Sequence, residues 1–172
     1  MTQVAILMGS ASDEDKVSAC MEVLHHLGVS YTVTVSSAHR TPERTAELVQ
    51  HYEAENVQVM ICAAGMAAHL AGAVAARTLR PVIGIPVSGT ALNGMDALLS
   101  TVQMPPGFPV ATVALDKAGA RNAAWLAAQI LALTDTKLLA RLKAERKRMA
   151  DDVAAAGAAL CHKYPSPGTW EC

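Results

Sequence analysis

The sequence predicts an α/β fold in which a central parallel sheet carries helices on both faces. Two observations support this. Five short apolar or β-branched runs alternate with segments of helical periodicity, and the loops between them are short, as repeated strand–helix units require. The 172 residues are also 52% hydrophobic but only 3% aromatic, enough for one domain with a core of Ala, Val, Leu, Ile and Met.

The first strand is QVAILM, Gln3 to Met8, a short apolar run ended by Gly9. Ser12 stands at an N-cap position, with Asp13 and Asp15 in the first turn, where the helix dipole favours negative charge. Val17, Cys20, Met21 and Leu24 then recur at amphipathic helix spacing until Gly28 ends the pattern. The β-branched run YTVTV, Tyr31 to Val35, is the second strand. Thr41-Pro42 starts the second helix, on which Thr45, Leu48, Val49 and Tyr52 share one face. Val57 to Ala64 is the third strand, followed by an alanine-rich helix from about Ala67. PVIGIPV and then Val110 to Leu115 supply the fourth and fifth strands.

Two further helices close the chain. The segment from about Ala118 to Leu133 is apolar all round, which predicts a helix buried on every side. From Asp135 a long helix carries only a thin stripe, Leu138, Leu142 and Met149, on a heavily charged surface. That stripe is too narrow for a full core face, so docking on another subunit is expected. The run RLKAERKRM is interrupted and flanked by acidic residues and reads as a solvated face.

Composition excludes several function classes. A formal net charge of −1 argues against a nucleic-acid surface, which needs clustered excess Lys and Arg. The N-terminus MTQVAILMGS lacks a positive n-region, and no apolar run reaches the roughly 20 residues of a membrane span. A cytoplasmic location is expected. Cys20, Cys62, Cys161 and Cys172 form no metal-type spacing. Cys20 and Cys62 read as small buried hydrophobes, while Cys161 and Cys172 lie in or near a C-terminal tail. Residues 1–160 are expected to form the domain and 161–172 the tail.

In an open parallel sheet, ligands bind outside the carboxyl ends of the strands. All four loops expected at that edge are polar or Gly-rich: GSASD (Gly9 to Asp13), SSAHR, AGMAAH (Ala64 to His69) and SGTALNG (Ser88 to Gly94). The first suits a phosphate, because backbone N–H groups and two serine hydroxyls meet a helix N-terminus; equally, Ser12 can be only a cap and Gly9 only a turn. It lacks the lysine of a Walker loop and the spacing of a dinucleotide fingerprint. Asp13 can cap a helix or hold ribose hydroxyls. Arg40 offers a planar fork for phosphate, and histidine, here His39, is the usual proton shuttle near neutral pH. Each of these residues also has a plain surface or structural reading, and His69 can be a satisfied core residue. Together the loops describe a pocket for a small phosphorylated, ribose-bearing ligand with a histidine acid–base. No metal cluster or nucleophilic triad is visible in the sequence.

MGSASD, SAHRTP, AAHLAG, PVIGIPV, LNGMDALLSTVQMPPGFPVATVAL and AGARNAAWLAAQIL together resemble the PurE family of N5-carboxyaminoimidazole ribonucleotide mutases, in consistent order from about Val4 to Leu133. The resemblance implies flavodoxin-like three-layer subunits assembled as homo-octamers. It also implies transfer of a carboxyl group from the exocyclic nitrogen to C4 of an imidazole, in purine biosynthesis, without metal, ATP or biotin. By motif, Ser10, Arg40 and Ser12 would hold the substrate phosphate, Asp13 the ribose hydroxyls, and His39 would shuttle the proton. Ser37 and Ala38 would line the site beside them. Gly65, Met66, Ala67, His69 and Leu70 would lie in the loop over the carboxylate or CO2. Many members read G-G-A-A-H-L-P-G there, so Met66 and Ala71 are departures that would alter the loop's shape. A related carboxylase branch, which uses aminoimidazole ribonucleotide and free CO2, typically has Lys after the motif histidine and R-S-N in the third loop. Arg40 and His69 favour the mutase. A non-catalytic phosphate-ligand binder is the remaining alternative, and such a protein would not need His39.

Overall fold

The computed structural model describes residues 2–164, and five strand–helix units account for most of them. Strand β1 (Val4–Met8) leads through a 3-10 turn at Ala11–Asp13 into α1 (Glu14–His26). Strand β2 (Tyr31–Val35) precedes α2 (Pro42–Ala54), and β3 (Val59–Gly65) precedes α3 (Leu70–Ala75). Strand β4 (Val82–Val87) precedes α4 (Met95–Val102). Strand β5 (Ala111–Thr112) is followed by α5 (Asp116–Leu131) and the long α6 (Thr136–Lys163).

The sheet order is β2-β1-β3-β4-β5, with every neighbouring pair parallel. This is the flavodoxin-like order, and it reverses between β1 and β3, the point at which such sheets open a ligand crevice. Both faces of the central strands β1, β3 and β4 are covered, which explains their uninterrupted apolar runs. Along β1, Val4, Ile6 and Met8 join one buried cluster with α1, α5 and the start of α6. Ala5 and Leu7 join the other, with α2 and α3. Strand β3 divides likewise: Val59, Ile61 and Ala63 face one side, Met60 and Cys62 the other. Cys20 and Cys62 are buried, and burial pushes both thiols up, Cys20 to about 12, so they pack as small hydrophobes.

Several expectations are corrected. Ser12 does not cap α1: the Ser10 side chain accepts the Ser12 N–H across the 3-10 turn, and α1 begins at Glu14. The alanine-rich helix starts at Leu70, after a turn through Met66–His69. An unforeseen helix, α4, occupies part of the segment between β4 and β5, and β5 itself contracts to two residues at the sheet edge. Helix α5 is not buried on every side: Lys117, Ala118, Arg121, Asn122 and Gln129 are exposed, and alanines line its inner face.

The C-terminal helix behaves differently along its length. Its first turns bury Leu138 and Leu142, and Arg141 donates from Nε to the Leu27 carbonyl at 2.8 Å. It runs on to Lys163, past Leu160, where the tail was expected to begin, while Cys172 lies outside the described residues. No helix among the described residues is long and apolar enough to cross a membrane.

Candidate active site

Parallel strands bring their following loops to one edge, and hydrogen bonds tie those loops together. The β1 loop is compact: Ser10 Oγ and Ser12 Oγ lie 2.8 Å apart, and the Ser12 hydroxyl reaches Asp13 Oδ1 at 3.5 Å. Arg40, in the loop after β2, donates from Nη2 to the Gly9 carbonyl at 3.2 Å and from Nε to Ser37 Oγ at 3.4 Å. These bonds hold the guanidinium between its own loop and the start of the first loop, at the residue before Ser10. The rest of its five N–H donors remain for a ligand.

The β2 loop is stiffened from within. Thr41 donates through its N–H and hydroxyl to the Ser37 carbonyl, at 2.8 and 3.0 Å, and its Oγ1 accepts from the Ser37 N–H. Beneath, the buried Ser36 and Thr45 hydroxyls pair at 2.8 Å. Ala38 packs on the α2–α3 core, which leaves His39 and Arg40 as the exposed tip.

His39 meets the third loop directly. Its ring stacks on His69 with centroids 5.7 Å apart and planes 14° from parallel. His69 sits at the N-terminus of α3, its N–H bonded to the Ala67 carbonyl and its own carbonyl accepting from Ala73. Met66 adopts φ +57, the left-handed region, at the position where many members of the resembled family have glycine. Its side chain is 67% exposed, so that backbone is not forced by packing of the side chain. Gly65 has a different constraint: a Cβ there would lie 2.9 Å from the Val87 carbonyl oxygen. The third and fourth loops therefore leave the sheet in backbone contact. Leu70, expected over the ligand, buries its side chain in the α2–α3 core and can offer only backbone to the edge.

The sequence reading missed one group. Lys16 on α1 donates to the Ser88 carbonyl at 2.6 Å and to Ser88 Oγ at 3.0 Å, and pairs with Asp116 at 3.2 Å. Asp116 in turn accepts from the Ser88 N–H at 2.9 Å and the Ser88 hydroxyl at 2.6 Å. Burial opposes ionisation of Asp116, but the Ser88 bonds and Lys16 outweigh it and hold the carboxyl below the usual range. Asp13 goes the other way: burial pushes its carboxyl up, against the pull of Lys16, the Ser12 hydroxyl and the Ser10 backbone, with Asp116 adding to the rise. Among the described residues, no group of three or more His, Cys, Asp or Glu is placed to hold a metal. A cavity of about 880 Å³ lies elsewhere, at the opposite end of β4, lined by Arg77, Leu79 and Phe108 among others.

An edge built this way defines the class of protein, a doubly wound α/β protein, and folds of that class bind ligands across the carboxyl ends of their strands. A family model described as AIR carboxylase matches residues 3–152, and the chain belongs to that family. It is 50% identical over 151 residues to the N5-carboxyaminoimidazole ribonucleotide mutase of Escherichia coli, covering 88% of this chain and 89% of that protein. The protein of the same name from Bacillus subtilis is 49% identical over 144 residues, covering 84% and 89%. Among solved structures, Treponema denticola PurE superposes with a TM-score of 0.85 at 29% identity, covering 93% of this chain and 99% of that one.

Proposed function

We propose that the chain is an N5-carboxyaminoimidazole ribonucleotide mutase. It would convert the N5-carbamate of aminoimidazole ribonucleotide into 4-carboxy-5-aminoimidazole ribonucleotide, a step of purine biosynthesis in the cytoplasm. The observation that carries the reading is the His39 ring, stacked on His69 at the edge where Arg40 bonds the Gly9 carbonyl at the start of the first loop. Half-identity to relatives named for this reaction supports it.

In this reading Ser10, Ser12 and Arg40 hold the phosphate, and Asp13 takes the ribose hydroxyls, as a carboxylate does in nucleotide folds. Ser37 and Ala38 line the site, and the Gly65–Leu70 loop covers the carboxyl group. His39 gives its proton to the carbamate nitrogen as the N–C bond breaks, releasing CO2 and the free amine. C4 of the electron-rich imidazole then attacks the trapped CO2 and forms the new C–C bond. The neutral His39 removes the C4 proton, which restores aromaticity and returns the histidine to its starting state. One imidazole serves both proton steps, and holding CO2 beside C4 supplies the effective concentration. Arg40 and His69 favour this route over carboxylation with free CO2. The subunits assemble as homo-octamers, a reading supported by the uncovered stripe on α6.

The test is to incubate the protein with the carbamate and, separately, with aminoimidazole ribonucleotide and bicarbonate, following the C4-carboxylated product. Product should form rapidly from the carbamate alone. His39→Asn should keep substrate affinity within a few-fold but lose about 10²–10⁴-fold in single-turnover rate. Preference for free CO2 would reassign the chain to the carboxylase branch, and an unimpaired His39→Asn would remove the histidine from the chemistry.

A further inference from the structure

The Lys16–Ser88–Asp116 group joins three elements that are remote in sequence, and neither the fold nor the roles above require it. Ser88 is the first residue after β4, Asp116 the first of α5, and Lys16 lies on α1 three residues beyond Asp13. Residues three apart on a helix are neighbours, so the Lys16 ammonium is within easy reach of the Asp13 carboxylate. It is nevertheless drawn away, to the Ser88 carbonyl, the Ser88 hydroxyl and Asp116. Asp13 still feels both charges, Lys16 as attraction and Asp116 as repulsion.

Asp116 occupies its place at a cost. Its φ of +55 lies in the left-handed region, unfavourable for a residue with a Cβ. Such strain persists where surroundings over-determine it and clusters at functional sites. Here three donors converge on one carboxylate: the Ser88 N–H, the Ser88 hydroxyl and the Lys16 ammonium. With its negative charge and the Ser88 anchor, Asp116 can outcompete Asp13 for Lys16. Both Lys16 and Asp116 are about 30% exposed, so the pair is open enough to rearrange.

We infer that Asp116 is a positioning residue that keeps Lys16 docked on Ser88 and so leaves the Asp13 carboxylate available to substrate. The inference rests on the proposed ribose-binding role of Asp13. Without Asp116, the ammonium would turn back one helical turn and pair with Asp13, competing with the ribose hydroxyls for the same oxygens.

Asp116→Gly is the informative variant, because glycine accepts the left-handed backbone and separates loss of the carboxylate from strain. It should raise KM for the carbamate about 5- to 10-fold, the size of one ordinary hydrogen bond, with kcat within about twofold. Adding Lys16→Met should recover most of that loss, since the competing ammonium is gone. A loop merely loosened by the mutation would not be repaired by a second substitution. An unchanged KM in Asp116→Gly, or a raised KM that Lys16→Met leaves raised, overturns the inference. Calorimetry with ribose 5-phosphate separates this outcome from failure of the functional reading. If wild type binds this probe but turns over nothing, the same pattern of affinities still supports the role of Asp116 while the reaction falls. If wild type neither binds nor reacts, both fall.

Discussion

At the scale of single residues, the edge places two carboxylates under opposite influences. Asp116 is held ionised by its partners, while Asp13 is raised by burial against the pull of Lys16. A carboxyl whose folded pKa exceeds its unfolded value favours the protonated native state. Stability therefore falls as pH rises through the window between the ordinary carboxylate range and the raised value, and stays lower above it. At neutral pH the ionised Asp13 burdens the fold, as expected of a group kept for ligand rather than for stability. Asp13→Asn should thus melt about 1–3 °C higher at pH 7, with the gain shrinking in acid, while affinity for a ribose phosphate falls about tenfold. Thermal melts at both pH values check the sign, and a lower melting temperature at pH 7 would show that Asp13 supports the fold instead. Most of the edge residues were legible in sequence because they sit in loops directly after strands. The Lys16 group was not. Its members are 72 and 28 residues apart, and a lysine inside a helix or an aspartate at its start has an ordinary local reading.

At the scale of elements, the strands and the first two helices were readable because their periodicity runs over several turns or a whole apolar strand. Helix α4 was not, since eight residues give barely two turns and Gly94 before it carries φ +83, which reads as a turn. The exposed side of α5 was obscured by alanine, which suits either surface; Ala118 faces solvent while Ala120, Ala123 and Ala127 are fully buried. Those small residues let α5 lie close to the sheet, while Gly119, in its first turn, lies hard against the loop that leads in from β5. A Cβ there would come 1.6 Å from the Ala114 carbonyl oxygen, a backbone atom that no rotamer change can move. Gly119→Ala must shift either the helix or the exit of β5, and overpacking against backbone belongs at the upper end of such costs. We expect a loss of about 3 kcal/mol or more, read from urea unfolding midpoints at unchanged slope. A loss under about 1 kcal/mol would mean that the loop through Ala114 gives way to the added methyl.

At the scale of the whole molecule, α6 is the element a single subunit does not account for. Its 28 residues span about 42 Å, yet only its first turns, through Leu138 and Leu142, are buried in the chain's own core. The stripe then continues at helical steps of four and seven through Met149, Val153 and Leu160, which are 40%, 73% and 59% exposed. From Arg146 to Leu160 every residue is exposed, so an apolar row lies open that a soluble helix would ordinarily cover. A second copy of the chain is the proposed cover, in the homo-octamer that the family resemblance implies. Val153 is the residue on which to test it, because in an isolated subunit a charge at so exposed a position would cost almost nothing. Light scattering on the wild type should give a mass near eight times that of one chain. Val153→Glu should lower that mass without loss of helical circular dichroism, since a buried unpaired carboxylate opposes association but not folding. A wild type of single-chain mass at micromolar concentration would defeat the assembly, and an octameric Val153→Glu would move the interface off this stripe.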